Sequence, residues 1–153
     1  MSASNAPNKS RPSARKKARR LAVQALYQWQ VAGGNLTAIE RQFLENNDTR
    51  KIDTDYFHEL LHKIPSVVDT LDEKIDALID RKKEELGVVE LAVLRIGAYE
   101  LMHRVDIPYR VVINEGVELT KMFGAEESFR YINGVLDKIA KQTRQAERSE
   151  KKS

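Results

Sequence analysis

The sequence predicts an all-α protein of about seven helices, and three observations predict it. Apolar residues recur at the three-and-four spacing of one helical face in seven successive segments. The glycines fall mostly between those segments, and no run shows a convincing period-two alternation. At 153 residues the chain has room for one compact core. The expected organisation is a disordered extension over residues 1–12, a helical domain over 13–140 and a charged flexible tail over 141–153. Two subbundles sharing a central helix are a natural packing for such a set, although periodicity alone does not choose it.

Ser13 begins the first helix, with Ala18, Leu21, Ala22, Ala25 and Trp29 on one face and Gly33-Gly34 as its stop. Thr37 and Glu40 form a capping box for the second, backed by Ile39, Phe43 and Leu44. The third starts near Asp53 and carries Phe57, Leu60, Leu61 and Ile64, after which Pro65 should break or kink it. Val68, Leu71, Ile75, Leu78 and Ile79 mark the fourth. Val88 to Met102 is apolar almost all the way round, the signature of a central helix covered by neighbours. Arg95 inside it should pair with a carboxylate or with helix-end carbonyls, because an unpaired buried charge is costly. Pro108 opens the next helix, with Val111, Val112, Glu115, Leu119 and Met122 as its face and Gly124 as its end. The last runs from about Ala125 through Phe129, Ile132, Val135, Leu136 and Ile139.

Charge is distributed unevenly. Residues 1–20 hold seven bases and no acid, and residues 138–153 hold six bases and two acids; with a net charge of +3 overall, the stretch between them carries −8. An acidic body with basic ends points to a localised polyanion contact, the alternative being a pair of solvated tails. The chain has no cysteine, which removes disulfides and thiolate metal sites, and no apolar run approaches the ~20 residues of a bilayer span. The cytoplasm is the simplest location. An Arg-rich start with no acid before Glu40 also has the look of a mitochondrial transit peptide, ranked second because the same helix carries Trp29 and a patterned apolar face.

Three constellations bear on chemistry. Arg15 with Arg19, and Lys16 with Arg20, lie one helical turn apart on adjacent rows and form a broad cationic face. Such a face suits a phosphate backbone, and cations at a helix N-terminus oppose the macrodipole, a cost that an anionic partner offsets. Arg130-Tyr131 places a cation beside an aromatic, the pair that single-stranded nucleic acid uses, although half-exposed tyrosines more often edge a core. His58-Glu59-Leu60-Leu61-His62 matches the H-E-x-x-H zinc pattern letter for letter. A hydrolytic site needs a third protein ligand and a cleft. The following Gly and third His of the extended zinc pattern are missing, Glu84 and Glu85 sit in a charged run, and both Leu belong to the core stripe, so a chance match of surface histidines is expected. No phosphate loop, dinucleotide fingerprint or nucleophile elbow occurs, and neither catalytic residue, metal nor cofactor is expected.

The segment Ala18-Arg19-Arg20-Leu21-Ala22-Val23-Gln24-Ala25-Leu26-Tyr27-Gln28-Trp29-Gln30 is similar to the first helix of the NusB family. Val93-Leu94-Arg95-Ile96, Ala98-Tyr99-Glu100-Leu101, Ile107-Pro108-Tyr109, Ile113-Asn114-Glu115, Phe123-Gly124-Ala125-Glu126 and Tyr131-Ile132-Asn133-Gly134-Val135-Leu136-Asp137-Lys138 follow in the family's order. The resemblance spans about residues 12–140. It implies a transcription antitermination factor that binds boxA RNA of nascent ribosomal transcripts together with NusE, a small-subunit ribosomal protein, and helps assemble a termination-resistant polymerase complex. RNA contacts are implied for Arg15, Lys16, Lys17, Arg19 and Gln24, and for Glu127, Arg130 and Tyr131; contacts to NusE are implied for Tyr27, Glu84 and Glu90. Tyr131 stands where the family commonly has Phe and keeps the π face, while Glu127 replaces a common Asp and keeps the charge. Some NusB-like proteins form homodimers that hide the RNA surface, and a homodimer stays open here.

Overall fold

The structure, a computed structural model, describes residues 12–152 and is all-helical as expected: eight α-helices, two 3-10 turns and no strand among the described residues. The extension expected over 1–12 lies outside them except for Pro12, and so do Lys9 and Arg11. The chain divides into two compact units, one through Ser66 and one from Val67 onward, and the helix expected to be central belongs to the second.

The first unit holds α1 (Pro12–Ala32), α2 (Leu36–Glu45), a 3-10 turn at Thr49–Lys51 and α3 (Thr54–Ser66). Pro12 opens α1, where a proline's fixed φ and missing donor cost nothing. Ala14, Ala18, Ala22 and Ala25 are buried along α1, and side chains this short let α3 lie close against it. Phe57, Leu60, Leu61 and Ile64 of α3 are fully buried, each stabilising the unit by about 1.5–3 kcal/mol. Gly33 and Gly34 adopt φ of 70° and 108°, which a side chain would resist, and so terminate α1. The α2 cap is Asn35 rather than Thr37: its side-chain oxygen accepts from the Ala38 amide at 3.0 Å, so the helix begins one residue before the expected box. Pro65 sits in the last turn of α3, which ends at Ser66, and α4 starts at Val68.

The second unit holds α4 (Val68–Asp76), a 3-10 turn at Lys83–Glu85, α5 (Val88–His103), α6 (Tyr109–Phe123), α7 (Ser128–Thr143) and α8 (Gln145–Lys152). Every residue of α5 from Glu90 to Leu101 is buried, and α4, α6 and α7 pack against it. Leu136 of α7 fills the space left by two glycines: a Cβ on Gly97 or on Gly116 would come within 2.5 Å of one of its methyls. Arg95 pairs with Asp72 of α4 through two hydrogen bonds of 2.9 and 2.8 Å, the carboxylate expected for it.

Four expectations are corrected here. Helix α4 stops at Asp76, leaving Leu78 and Ile79 in the following turn. The buried face of α6 is Tyr109, Val112, Gly116, Leu119 and Thr120, while Val111 and Met122 are exposed; the close approach at Gly116 sets the rotation. Helix α7 begins at Ser128, after a left-handed Glu127 with φ of 72°, instead of at Ala125. The residues after Ala140, expected as a charged flexible tail, continue as the end of α7 and then as α8. The cause is Arg144, whose buried guanidinium donates to the carbonyls of Glu100 (3.1 Å), Leu101 (3.0 Å), Arg104 (2.9 Å) and Ile107 (2.9 Å). It also meets Glu147 at 2.7 Å, whose other carboxylate oxygen accepts from the Tyr109 amide at 3.1 Å.

Candidate nucleic-acid interface

In the first unit the cationic start of α1 divides in two. Arg15, Lys16, Lys17 and Arg20 are half-buried, whereas Arg19 is only 3% exposed. The Arg15 and Arg19 guanidinium carbons lie 4.7 and 5.6 Å from the centre of the Tyr56 ring on α3, and Arg15 also stands 3.8 Å from Asp53. Asp53 in turn accepts from the Tyr56 amide at 3.0 Å and its own amide donates to the Ala14 carbonyl at 3.2 Å, so the start of α3 is built against the start of α1. Arg19, expected within the broad cationic face, is instead buried. It shares a helical face with buried Ala22, Val23 and Leu26, a spacing visible in the sequence, and it packs on an aromatic ring. Lys17, Arg20 and Gln24, at three-and-four spacing, form the row that remains; Gln24 is exposed and its side chain donates to the Arg20 carbonyl at 3.1 Å. No acid occupies the first turn of α1.

In the second unit Glu127, Arg130 and Tyr131 open α7. Glu127 and Arg130 are exposed and paired, carboxylate to Nε at 2.9 Å. Tyr131 is half-buried, its hydroxyl donating to Asp80 at 3.1 Å. Burial and the Asp80 carboxylate raise the phenol above its ordinary value. The Arg81 guanidinium lies 4.3 Å over the same ring and binds Asp80 at 2.8 Å, holding that carboxyl below the usual range. One face of the Tyr131 ring is therefore covered by Arg81. Sequence reasoning missed Arg81, and its only signal was the basic run Arg81-Lys82-Lys83.

The residues expected to meet a protein partner differ among themselves. Tyr27 is 44% exposed and Glu84 is exposed, as a contact surface requires. Glu90 is turned inward at 8% exposure. Its carboxylate accepts from the Ala125 amide at 2.9 Å, and a Cβ on Gly87 would collide with it, so it ties the α6–α7 turn to the start of α5. A side chain held this way supports the surface beside it from within.

The H-E-x-x-H segment lies on α3. His58 and His62 both reach Glu40 of α2, with Nδ1 of His58 at 2.9 and 3.0 Å from its two oxygens and Nε2 of His62 at 2.8 Å from one of them. Burial pushes the Glu40 carboxyl up, but the hydrogen bonds and charge of the two imidazoles outweigh it and hold the group below its ordinary value. No helix among the described residues is long and apolar enough to cross a membrane.

The family model described as the NusB family matches residues 16–141. A transcription antitermination protein NusB from Alcanivorax borkumensis is 60% identical over 145 residues, covering 95% of this chain and 97% of the relative. One from Idiomarina loihiensis is 56% identical, covering 84% and 92%. Among solved structures, one of T. maritima NusB aligns with a TM-score of 0.77 at 28% identity, covering 88% of this chain and 96% of that one. A crystal structure of antitermination factors NusB and NusE in complex with dsRNA aligns with a TM-score of 0.72 at 28% identity, covering 83% and 96%.

Proposed function

The chain belongs to the NusB family, and from that premise we propose that it is a transcription antitermination factor that binds boxA RNA of nascent ribosomal transcripts together with NusE. The observation that carries the proposal is near-full-length identity to relatives named as transcription antitermination proteins. The chemistry of the surface supports it. Lys16, Lys17 and Arg20, with the accessible part of Arg15, form a cationic helix start with no acid in its first turn, which gains affinity for phosphates by counterion release. Gln24 extends that row with an amide suited to sugar or base edges. Arg130 supplies a second cation and Tyr131 a ring on which an unpaired base stacks. Arg19 acts by holding the helix start against Tyr56. Glu127 orients Arg130, and its left-handed backbone is the kind of local strain that gathers at functional positions.

NusE meets the exposed Tyr27 and Glu84, with Glu90 supporting its turn from within. RNA and protein binding belong to residues 13–140, in a cytoplasmic complex with transcribing polymerase, and no bond is made or broken. A homodimer that covers the RNA surface is a resting form compatible with these residues. Titration of labelled boxA and of a scrambled control, with and without NusE at two salt concentrations, tests the proposal. Selective binding that weakens steeply with salt is expected, with Tyr131→Ala losing about tenfold in affinity. Equal affinity for the scrambled RNA in the presence of NusE would sink it.

A further inference from the structure

We propose that Glu40, His58 and His62 form a binding site for a divalent transition-metal ion of the Zn2+ class within the first unit. Nothing in the RNA or NusE function uses these three side chains, and they converge from two helices. His58 and His62 are one turn apart on α3, their ring centres 4.2 Å apart and their planes inclined by 30°. Glu40 arrives from α2, and one donor atom from each residue lies within 4.8 Å of the other two.

Two imidazole nitrogens and a carboxylate oxygen are the donor set that borderline cations select, and a hard ion such as Mg2+ is poorly served by it. In a tetrahedral site with bonds of about 2.1 Å, neighbouring donors stand about 3.4 Å apart. The present nitrogen–oxygen distances of 2.8–3.0 Å need to open by only about half an ångström, within reach of side-chain torsions on fixed helices. Glu40 is 16% exposed and His58 is 58% exposed, so the carboxylate is sheltered while solvent reaches the site from the His58 side. Three protein ligands leave a fourth position for water. Two neutral imidazoles and one carboxylate leave a bound dication with a net charge of +1.

The motif's usual reading looks for its third ligand downstream, and here that ligand lies 18 residues before the first histidine, on another helix. The helix pair then gains a tie between α2 and α3 instead of a hydrolytic centre, and no role falls to Glu59 in binding. A bound ion stabilises the folded first unit by mass action and leaves the residues assigned to RNA untouched.

The test uses the full chain without an affinity tag, stripped with chelator and titrated with Co2+ and then Zn2+. One Co2+ per chain with the visible absorption of a four-coordinate ion is expected, displaced by Zn2+, with a melting temperature about 5 °C higher at saturation. His62→Ala and Glu40→Gln should each weaken binding more than tenfold, and His58→Ala, at an exposed position, repeats the test if either of those folds poorly. His103→Ala, the remaining histidine, should bind as the parent does. Absence of a spectrum at 100-fold excess of Co2+, or binding by the His58 and His62 variants as tight as the parent's, overturns the site and shows the cluster to be two imidazoles hydrogen-bonded to a carboxylate and nothing more. Either result leaves the boxA proposal standing, since that is read by RNA titration.

Discussion

Near the start of α1, Lys16, Lys17 and Arg20 stand half-buried on a helix whose first turn holds no acid. At the other end of the chain Arg144 is buried among four carbonyls and Glu147, and Arg148 meets Asp137 at 3.1 Å while lying 4.9 Å over the Tyr109 ring. Three of the carbonyls that Arg144 takes, those of Glu100, Leu101 and Arg104, are at the C-terminal end of α5, where a cation is favoured by the dipole. Both ends are basic by composition. Which acceptors the fold brings to each cation decides how far its charge holds the protein together.

Arg144→Ala is the largest break of that contrast. It leaves buried carbonyls and the Glu147 carboxylate without their donor, so a loss of about 3 kcal/mol or more is expected, or a fall of roughly 10 °C in the melting temperature. Affinity of the folded fraction for boxA should stay within twofold. A melting temperature lowered by less than about 3 °C would mean that the C-terminal charges are as idle as their composition suggests.

The same contrast runs inside α1, between neighbours. Arg19→Glu puts a carboxylate at a 3% exposed position beside Tyr56 and should destabilise by about 2–3 kcal/mol, seen in a denaturant midpoint. Lys16→Glu with Lys17→Glu should keep the midpoint nearly unchanged while weakening boxA binding tenfold or more and reducing the slope of log affinity against log salt by about 2. If the lysine pair costs stability and spares binding, the cationic patch is structural and the division of α1 is wrong.

How much of this was legible follows the strength of each signal. Helix α5 was plain, because twelve consecutive buried residues leave no polar face to misplace. The face of α6 was not: Gly116 carries no hydrophobic signal, yet it is where Leu136 packs, and the exposed Val111 and Met122 look like core on an apolarity count. Arg144 was invisible inside a charged run, since its partners are backbone carbonyls that no side-chain pattern records. Glu40 escaped pairing with the histidines for a related reason. Its distance from them in sequence is set by the α2–α3 connection, and helical spacing on α3 alone cannot reveal it. Arg19 was readable in principle, because Val23 and Leu26 follow it at four and seven residues; the run of bases around it drew attention to charge instead.

Salt separates charges offered to a partner, and acid should separate charges used internally. Asp72 is the buried acid facing Arg95 on α5 and Lys83 in the turn before it. Burial pushes its carboxyl up, but the hydrogen bonds and charges of Arg95 and then Lys83 outweigh that, so it lies below its ordinary value. A depressed carboxyl contributes stability that is fully present above the unfolded value of about 3.9 and is lost as pH falls through the folded value. Asp72→Asn should therefore melt lower than the parent at pH 7, and the gap between them should narrow steadily as pH drops below about 4. A gap for Asp72→Asn that stays constant down to pH 3 would assign its cost to packing, because only an ionised carboxylate is removed by acid and the shape of the side chain is not.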